Sequence, residues 1–402
     1  MKLGVINCGS SSIKYEVFSL PDYVMIATGL VENIGGGEGR LRQRRRNADG
    51  TFEELNYSEH LADHKAGFEF MVHMNRENRI IQDDSELFGI GHRVVHGGER
   101  FREPAVINDA VVEAIRKLIP LAPLHNPSNL LGIEIARARF QGIPQVAVFD
   151  TAFHQSLPPH AFHYATPYDW YAGHQVRRYG FHGTSHHYVS KAAAGYLGKS
   201  PESVNLITLH LGNGASAAAV RKGSSIDTSM GLTPLEGLVM GTRSGDIDPA
   251  LHFFMMRQAG MSADALEKSL NSRSGLKGIC GLNDMREIID QAERGNDRAS
   301  LAIEMFCYRI KKYIGAYAAV LGGIDAIVFT GGIGENAPVI RERACAGLEH
   351  MGVSIDGAKN DAVQGNAAEI QKDEAPVKVL VVRTDEEREI ARQTFNAIEK
   401  TK

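Results

Sequence analysis

A chain of 402 residues, 43% hydrophobic and 23% charged, has the composition of a folded protein long enough for two domains, each with its own core. A formal charge of -4, from 44 basic against 48 acidic residues, excludes a whole-protein electrostatic footprint for nucleic acid. The apolar run Leu3 to Ile6 is too short for a secretory leader, and Tyr313 to Phe329 is too short for a membrane span and carries Asp325, so no membrane partner and a cytoplasmic location are expected.

The four cysteines (Cys8, Cys280, Cys307, Cys345) contain no C-x-x-C pair, which fits a reducing compartment without structural zinc, and none of the 16 histidines falls in H-E-x-x-H.

In chain order, Val5 to Lys14 is an apolar strand, a Gly-Ser turn and a returning strand. Taken alone this is an ordinary hairpin, but its successive N–H groups and hydroxyls, with Lys14 at the rim, can also cradle phosphate. Arg40, Arg42, Arg44, Arg45 and Arg46 precede Asn47-Ala48-Asp49-Gly50 and Glu53-Glu54, which reads as a solvated Asp-Gly hairpin with cross-strand charge pairs and no partner. Helical periodicity over 63–74, 108–118 and 127–140 alternates with strand signals over 2–7, 13–19, 88–95 and 145–149, an α/β pattern. Asp150 follows the last of these strands, at the carboxyl end where such folds place ligand chemistry.

Residues 151–182, rich in Pro, His and aromatic side chains, read as a long ordered connection. Strand, Gly/Asn/Ser turn and strand recur over 204–220, echoing the N-terminus half a chain later. Helices are expected over 248–260, 284–295 and 297–321. A strand over 325–329 leads to the turn Thr330-Gly331-Gly332-Ile333-Gly334-Glu335-Asn336 and a helix over 337–351, with Pro338 suited to its first turn; helix starts behind such turns favour phosphate. A strand over 377–382 is followed by a helix opening with the capping-box pattern Thr384 to Glu387. The repeated turn implies a duplicated domain pair with nucleotide held between the halves.

Asn7-Cys8-Gly9-Ser10-Ser11-Ser12-Ile13-Lys14, Gly91-His92-Arg93-Val94-Val95-His96-Gly97-Gly98, Pro123-Leu124-His125-Asn126-Pro127, Phe149-Asp150-Thr151-Ala152-Phe153-His154 and Arg178 to His186 together resemble the acetokinase family of the actin, sugar-kinase and Hsp70 fold group. Gly212 to Ser216, Asp227 to Gly231, Met240 to Asp246 and Thr330 to Asn336 extend the resemblance over nearly the whole chain. It implies an α/β fold of two duplicated ribonuclease-H-like (actin-like ATPase) domains with a nucleotide cleft between them. Residues 1–150 plus 385–402 would form the N-terminal domain, and 151–384 the C-terminal one, which would bind nucleotide and supply the interface of a homodimer. The implied reaction is reversible transfer of the ATP γ-phosphoryl group to acetate, giving an acyl phosphate and ADP, with Mg2+ (or Mn2+) required. Propionate is the alternative acceptor.

A small carboxylic acid is already ionised at neutral pH, so it needs no strong base to become a nucleophile. The obstacle is bringing an anion to a polyanion, a task for cationic clamps, and arginine suits it. By resemblance, Arg93 holds the carboxylate, Arg243 and His182 contact the phosphoryl group, Asp150 orients an arginine and the reacting groups, and His125 assists unless it is only a helix-entry residue. Asn7, Ser10, Ser12 and Lys14 would line the γ-phosphate and metal. His210, Leu211, Gly212, Asn213 and Gly214, with Gly332, Ile333, Gly334, Glu335 and Asn336, would hold phosphates and nucleoside, while Asp284, Met285 and Arg286 flank the adenosine. Val95, Leu124, Phe181 and Pro234 would form the acyl pocket. Asn7 and Glu386 are the metal candidates, and Mg2+ keeps enough water to need few carboxylates. A chaperone-type ATPase would lack an acyl acceptor, and a sugar kinase would use Asp150 as its base.

Overall fold

In the computed structural model, which describes residues 1–402, the chain divides into a first unit of Met1–Ala152 with Asp385–Lys402 and a second of Phe153–Thr384. The strands of the first are β1 (Lys2–Cys8), β2 (Ile13–Ser19), β3 (Val24–Glu32), β4 (Gly37–Arg46), β5 (Phe52–Leu61), β6 (Leu87–Val94), β7 (Ala105–Val106) and β8 (Gln145–Phe149). They form one sheet in the order β5-β4-β3-β2-β1-β6-β8-β7. Because β1, β6 and β8 run parallel, their carboxyl ends lie along one edge, and the turn 9–12, the segment after Val94 and Asp150 all leave from it.

The second unit's strands are β9 (Asn205–Leu211), β10 (Ala215–Arg221), β11 (Ser224–Thr228), β12 (Ala326–Thr330), β13 (Ala367–Glu369) and β14 (Lys378–Val382), in the order β11-β10-β9-β12-β14-β13. This reproduces β3-β2-β1-β6-β8-β7 strand for strand: an antiparallel meander, two parallel neighbours, and a short antiparallel edge. The duplication heard in the two strand-turn-strand segments is thus a repeat of topology.

The arginine run lies on β4, whose residues alternate between faces, with Leu41 and Gln43 buried and Arg40, Arg42 and Arg44 exposed. Arg45 stands opposite Glu53 and Arg44 opposite Glu54, with ion pairs of 2.5 and 3.8 Å, as the hairpin reading expects. Helices His64–Glu77 and Asn126–Arg139 cover one side of the first sheet, burying Phe68, Met71 and Ala136 with Ile6, Ile13 and Ile90. Asp63 caps the first of these by accepting the Ala66 N–H, and Asn108 caps a further helix, Asp109–Lys117, by accepting the Val111 N–H.

Three expectations need correction, and one helix, Gly183–Tyr196, has no counterpart in the sequence reading: its inner face is mixed, with Thr184, Ser185, His186 and Ser190 beside Val189, Ala193 and Ala194, so its apolar periodicity is broken in the first half. The turn after β12 is itself helical from Gly331 to Asn336. The helix over 337–351 stops at Cys345, because Gly347 turns the chain with φ 79° before a short 3-10 turn at Glu349–Met351. The capping box is absent: Asp385 caps the helix Glu386–Glu399 through the Arg388 N–H, while the Thr384 hydroxyl meets Ser185 at 2.9 Å and Glu387 pairs with Lys14.

Candidate active site

In the first unit, the turn after β1 is closed by the Gly9 N–H to the Ser12 carbonyl (2.8 Å) and pinned by His64 Nε2, which donates to the Gly9 carbonyl (2.8 Å), and by Asn129, which donates to the Cys8 carbonyl (2.9 Å). Ser10 is exposed, and Ser12 and Asn7 are half-buried. Asn129 also accepts the Val95 N–H, and Asn126 both accepts from and donates to the His96 backbone, so two buried asparagines hold the segment carrying Val95 against the turn. Sequence reasoning missed this role; Asn126 and Asn129 share a helix face at i, i+3, the one signal available.

Arg93, at the end of β6, points its Nε–Nη2 edge at Asp150. Nε lies 3.1 Å from both carboxylate oxygens and Nη2 2.7 Å from Oδ2, leaving Nη1 available. Asp150 is almost wholly buried, whereas 23% of the Arg93 side chain remains exposed. Burial would lower the Arg93 pKa, but the charges of Asp150 and Glu386 outweigh it and hold it above the ordinary arginine value. Glu386 is pushed up to about 7, chiefly by burial, with Asp150 and Glu387 adding to the rise and Arg93 opposing it. Lys14 pairs with Glu387, and 43% of its side chain remains exposed. Glu16, Asp385 and Glu387 bring oxygens within 4.8 Å of one another around it, and Glu16 is raised to about 8 by burial and by Glu387. Val95 is buried, His125 sits half-buried at the head of its helix, and Leu124 is 63% exposed rather than lining an enclosed wall of this unit.

In the second unit, the β9–β10 turn Gly212-Asn213-Gly214 is closed by the Gly212 N–H to the Gly214 carbonyl (3.1 Å), and Asn213 accepts from Gly241 and Asn283 at 2.9 and 3.2 Å. A methyl group on Gly214 would stand 3.5 Å from His182 Nε2 and 3.6 Å from Arg243 Nη1, so these two donors converge on space the glycine leaves open. Arg243 has no carboxylate partner. Its contacts are the Pro234 carbonyl at 3.4 Å and the Met240 sulfur at 4.0 Å, and burial pulls its pKa below the ordinary arginine value. His182 stacks on His210, with ring centroids 4.4 Å apart at 29°. Phe181, just before it, is buried.

The Glu335 carboxylate accepts the Gly331 and Thr384 N–H groups at 3.0 and 3.1 Å and ties the loop internally. Gly331 has φ 76°, and a side chain there would strike the Leu211 backbone, so glycine is required. Asn336 donates to the Gly332 carbonyl at 2.9 Å, and Leu211 ends β9 fully buried. Arg341, which sequence reasoning did not single out, is 1% exposed and donates to the Gly334 and Glu335 carbonyls and to Asn360, fixing the far end of the helical turn that contains Ile333. Asp284 caps the helix Met285–Glu293 and pairs with the exposed Arg286 at 2.5 Å; Met285 is buried beneath it.

Two mixed sheets of one repeated topology, each with polar turns at the carboxyl ends of its parallel strands, define an α/β protein of the actin-like ATPase and sugar-kinase fold group. The chain belongs to the acetokinase family, whose model matches residues 2–392. It is 56% identical over 399 residues to a Syntrophobacter fumaroxidans protein named acetate kinase, covering 99% of this chain and 97% of that one. The crystal structure of Porphyromonas gingivalis acetate kinase superposes with a TM-score of 0.93 at 44% identity, covering 99% of each chain. A propionate kinase structure from Francisella tularensis superposes with a TM-score of 0.92 at 42% identity over 98% of this chain and 99% of that one.

Proposed function

We propose that this protein transfers the γ-phosphoryl group of ATP directly to acetate, giving acetyl phosphate and ADP. The observation that carries the reading is Arg243: a half-buried guanidinium with no carboxylate partner, beside His182 Nε2, is arranged to receive an anion. Family membership makes that anion a phosphoryl group. A carboxylate oxygen attacks phosphorus in line as the ADP oxygen leaves, and no proton has to move. Arg243 Nη1 and His182 Nε2 would donate to the equatorial oxygens as charge gathers there. Arg93 would take the acetate carboxylate on Nη1, its plane held by Asp150.

A magnesium ion fits Asn7 and Glu386, which offer hard oxygen donors; Glu386 is raised chiefly by burial and further by Asp150 and Glu387, and a dication would favour its charged form. When bound, it would neutralise phosphate charge. Propionate is a second acceptor, favoured by the close structural match to a propionate kinase; one added methylene alters binding by only about 1–3 kcal/mol.

We also infer a cytoplasmic homodimer. The four cysteines are free, no helix is long and apolar enough to cross a membrane, and the helix Asp297–Leu321 exposes Leu301, Met305 and Tyr308 along one face, with Phe253 and Phe254 exposed on the helix Ala250–Ala259 of the same unit.

Hydroxylamine trapping with Mg-ATP and acetate, propionate or butyrate tests the reaction. Acyl hydroxamate should form best with acetate. ATP hydrolysis without hydroxamate from any of the three acids would overturn the reading.

A further inference from the structure

A file of hydrogen bonds runs through the second unit behind His182. Thr208 Oγ1 on β9 lies 2.7 Å from His186 Nδ1, His186 Nε2 lies 2.8 Å from Ser216 Oγ on β10, and Ser216 Oγ lies 2.9 Å from His182 Nδ1. Thr208, His186 and Ser216 are all wholly buried. His182 and His186, four residues apart at the head of one helix, face the same side, and the antiparallel β9–β10 pair brings both hydroxyls up to them.

Counting hydrogens decides which way the file points. Burial, reinforced by His154 and His210, holds His186 well below the ordinary histidine pKa, so its ring is neutral and carries one N–H. Each hydroxyl has one hydrogen. If the bonds ran inward from His182 Nδ1–H, through the Ser216 hydroxyl and His186 Nδ1–H, the Thr208 hydrogen would be left inside the protein without an acceptor, since His186 is its hydroxyl's one partner. Buried donors are rarely left so. Run outward, every hydrogen is used. Thr208 donates to His186 Nδ1, His186 Nε2–H donates to Ser216, Ser216 donates to His182 Nδ1, and the ring hydrogen of neutral His182 must then sit on Nε2. That atom is the one beside Gly214 and Arg243 Nη1. The His210 ring stacked on His182 is itself held by Ser185 at 2.8 Å, so the plane in which the hydrogen points is also set.

We propose that Thr208, His186 and Ser216 are positioning residues that lock neutral His182 in the Nε2–H tautomer, so that it meets the phosphoryl group as a donor. The inference rests on the reading of His182 as a phosphoryl contact. It assigns work to three residues that touch no reacting atom.

The test is imidazole nitrogen NMR on the full-length, 15N-histidine-labelled protein at neutral pH, with His182→Gln identifying that ring's signals. A protonated Nε2 and bare Nδ1 are expected; an Nδ1–H ring or an imidazolium overturns the proposal. Ser216→Ala and Thr208→Val should mix the tautomers and lower kcat about tenfold, the scale at which outer hydrogen-bond partners act. Both KM values should stay within about twofold, as for an interaction made only in the transition state. Thr208→Ser should restore tautomer and rate. An unaltered tautomer and kcat in Ser216→Ala would sink the idea, and should that variant not fold, the wild-type spectrum alone decides. Full activity in His182→Gln would instead remove the phosphoryl reading, and the positioning role with it, whereas a wrong tautomer alongside a crippled His182→Gln sinks the relay alone.

Discussion

The two units hold their arginines in opposite electrostatic states. In the first, Arg93 lies among carboxylates, bound to Asp150 and influenced by Glu386 and Glu387, in a site whose every strong feature is a charge. In the second, Arg243 has no carboxylate partner: its contacts are the Pro234 carbonyl and the Met240 sulfur, and it faces His182 across the Gly214 turn. The difference teaches where binding energy is kept. A compensated arginine is a rigid hook whose geometry is set before substrate arrives. An uncompensated one bears a desolvation cost that only an incoming anion relieves, so it discriminates strongly for the most negative species on the reaction path.

The largest effect should follow from removing the uncompensated cation. Arg243→Ala is expected to cut kcat at least about 100-fold, the scale of losing one donor to developing charge, with little change in melting temperature because no ion pair is broken. Arg93→Ala should act otherwise: the apparent KM for the carboxylate rises more than that for ATP, and stability falls because Asp150 is left buried without its partner. Steady-state kinetics and calorimetry on the two variants check this. Equal behaviour of both would erase the distinction between hook and clamp.

Gly214→Ala is the sharper probe of the second unit and should rank next. The added methyl stands at ordinary van der Waals distance from the His182 ring and Arg243 Nη1, so the fold should tolerate it while the space between the two donors is filled. We expect kcat/KM to fall about tenfold, roughly 1.4 kcal/mol of transition-state stabilisation, with unchanged melting. Undiminished turnover would show that the phosphoryl group does not visit that space.

Much of this frame was legible in the sequence. Ile13–Ser19, Gln145–Phe149 and Asp297–Leu321 have the bounds read from their patterns, because apolar period and flanking turn residues agree there. The helix Gly183–Tyr196 was not, since the first half of its buried face is polar and is held by hydrogen bonds to strands far along the chain, leaving only Val189, Ala193 and Ala194 as an apolar signal. The same reason hid the structural duty of Glu335 and the loss of the Thr384 cap: a carboxylate or hydroxyl near a helix start looks alike whether it bonds locally or across 49 residues. Sequence also cannot show that Lys14 spends its charge on Glu387 or that Arg243 has no partner. Compensation is a property of three-dimensional neighbourhood, and the resemblance to a family supplied names for residues without it.

The charged and neutral sites should also respond oppositely to pH. Glu16 and Glu386, raised to about 8 and about 7, keep protons in the folded chain that an unfolded chain has released above about pH 4.5. Their contribution is therefore fully present at low pH and drains as pH rises toward 8. His154, held near 4 by burial, and His186, lower than its ordinary value, refuse protons that the unfolded chain accepts below about pH 6.5, so their contribution drains as pH falls from 6.5 toward 4. His92 adds an acid-sensitive group to the first unit. Hydrogen exchange without added metal should show first-unit peptides loosening between pH 6.5 and 8, and second-unit peptides between 6.5 and 5. Glu16→Gln should gain in melting temperature over wild type as pH rises from 5 to 8, by a few degrees if one pK unit, about 1.4 kcal/mol, is relieved. A constant gap would deny that Glu16 is held protonated.

The smallest effect marks the limit of the comparison. Arg44 and Arg45 are as cationic as Arg93 and Arg243, and a charge count ranks the five-arginine hairpin above either site. Yet Arg44 is exposed, Arg45 is half-exposed, and the two are matched to Glu54 and Glu53 across the strands, so solvent screens them and an acid already answers them. Arg44→Ala and Arg45→Ala should each cost no more than about 1 kcal/mol, leave both KM values and kcat unchanged, and lose even that effect in high salt. Denaturant titration at low and high ionic strength reads this directly. A substantial loss of turnover in either variant would mean that charge acts here at a distance, and then the burial and compensation that set Arg93 and Arg243 apart would not be what makes an arginine functional in this protein.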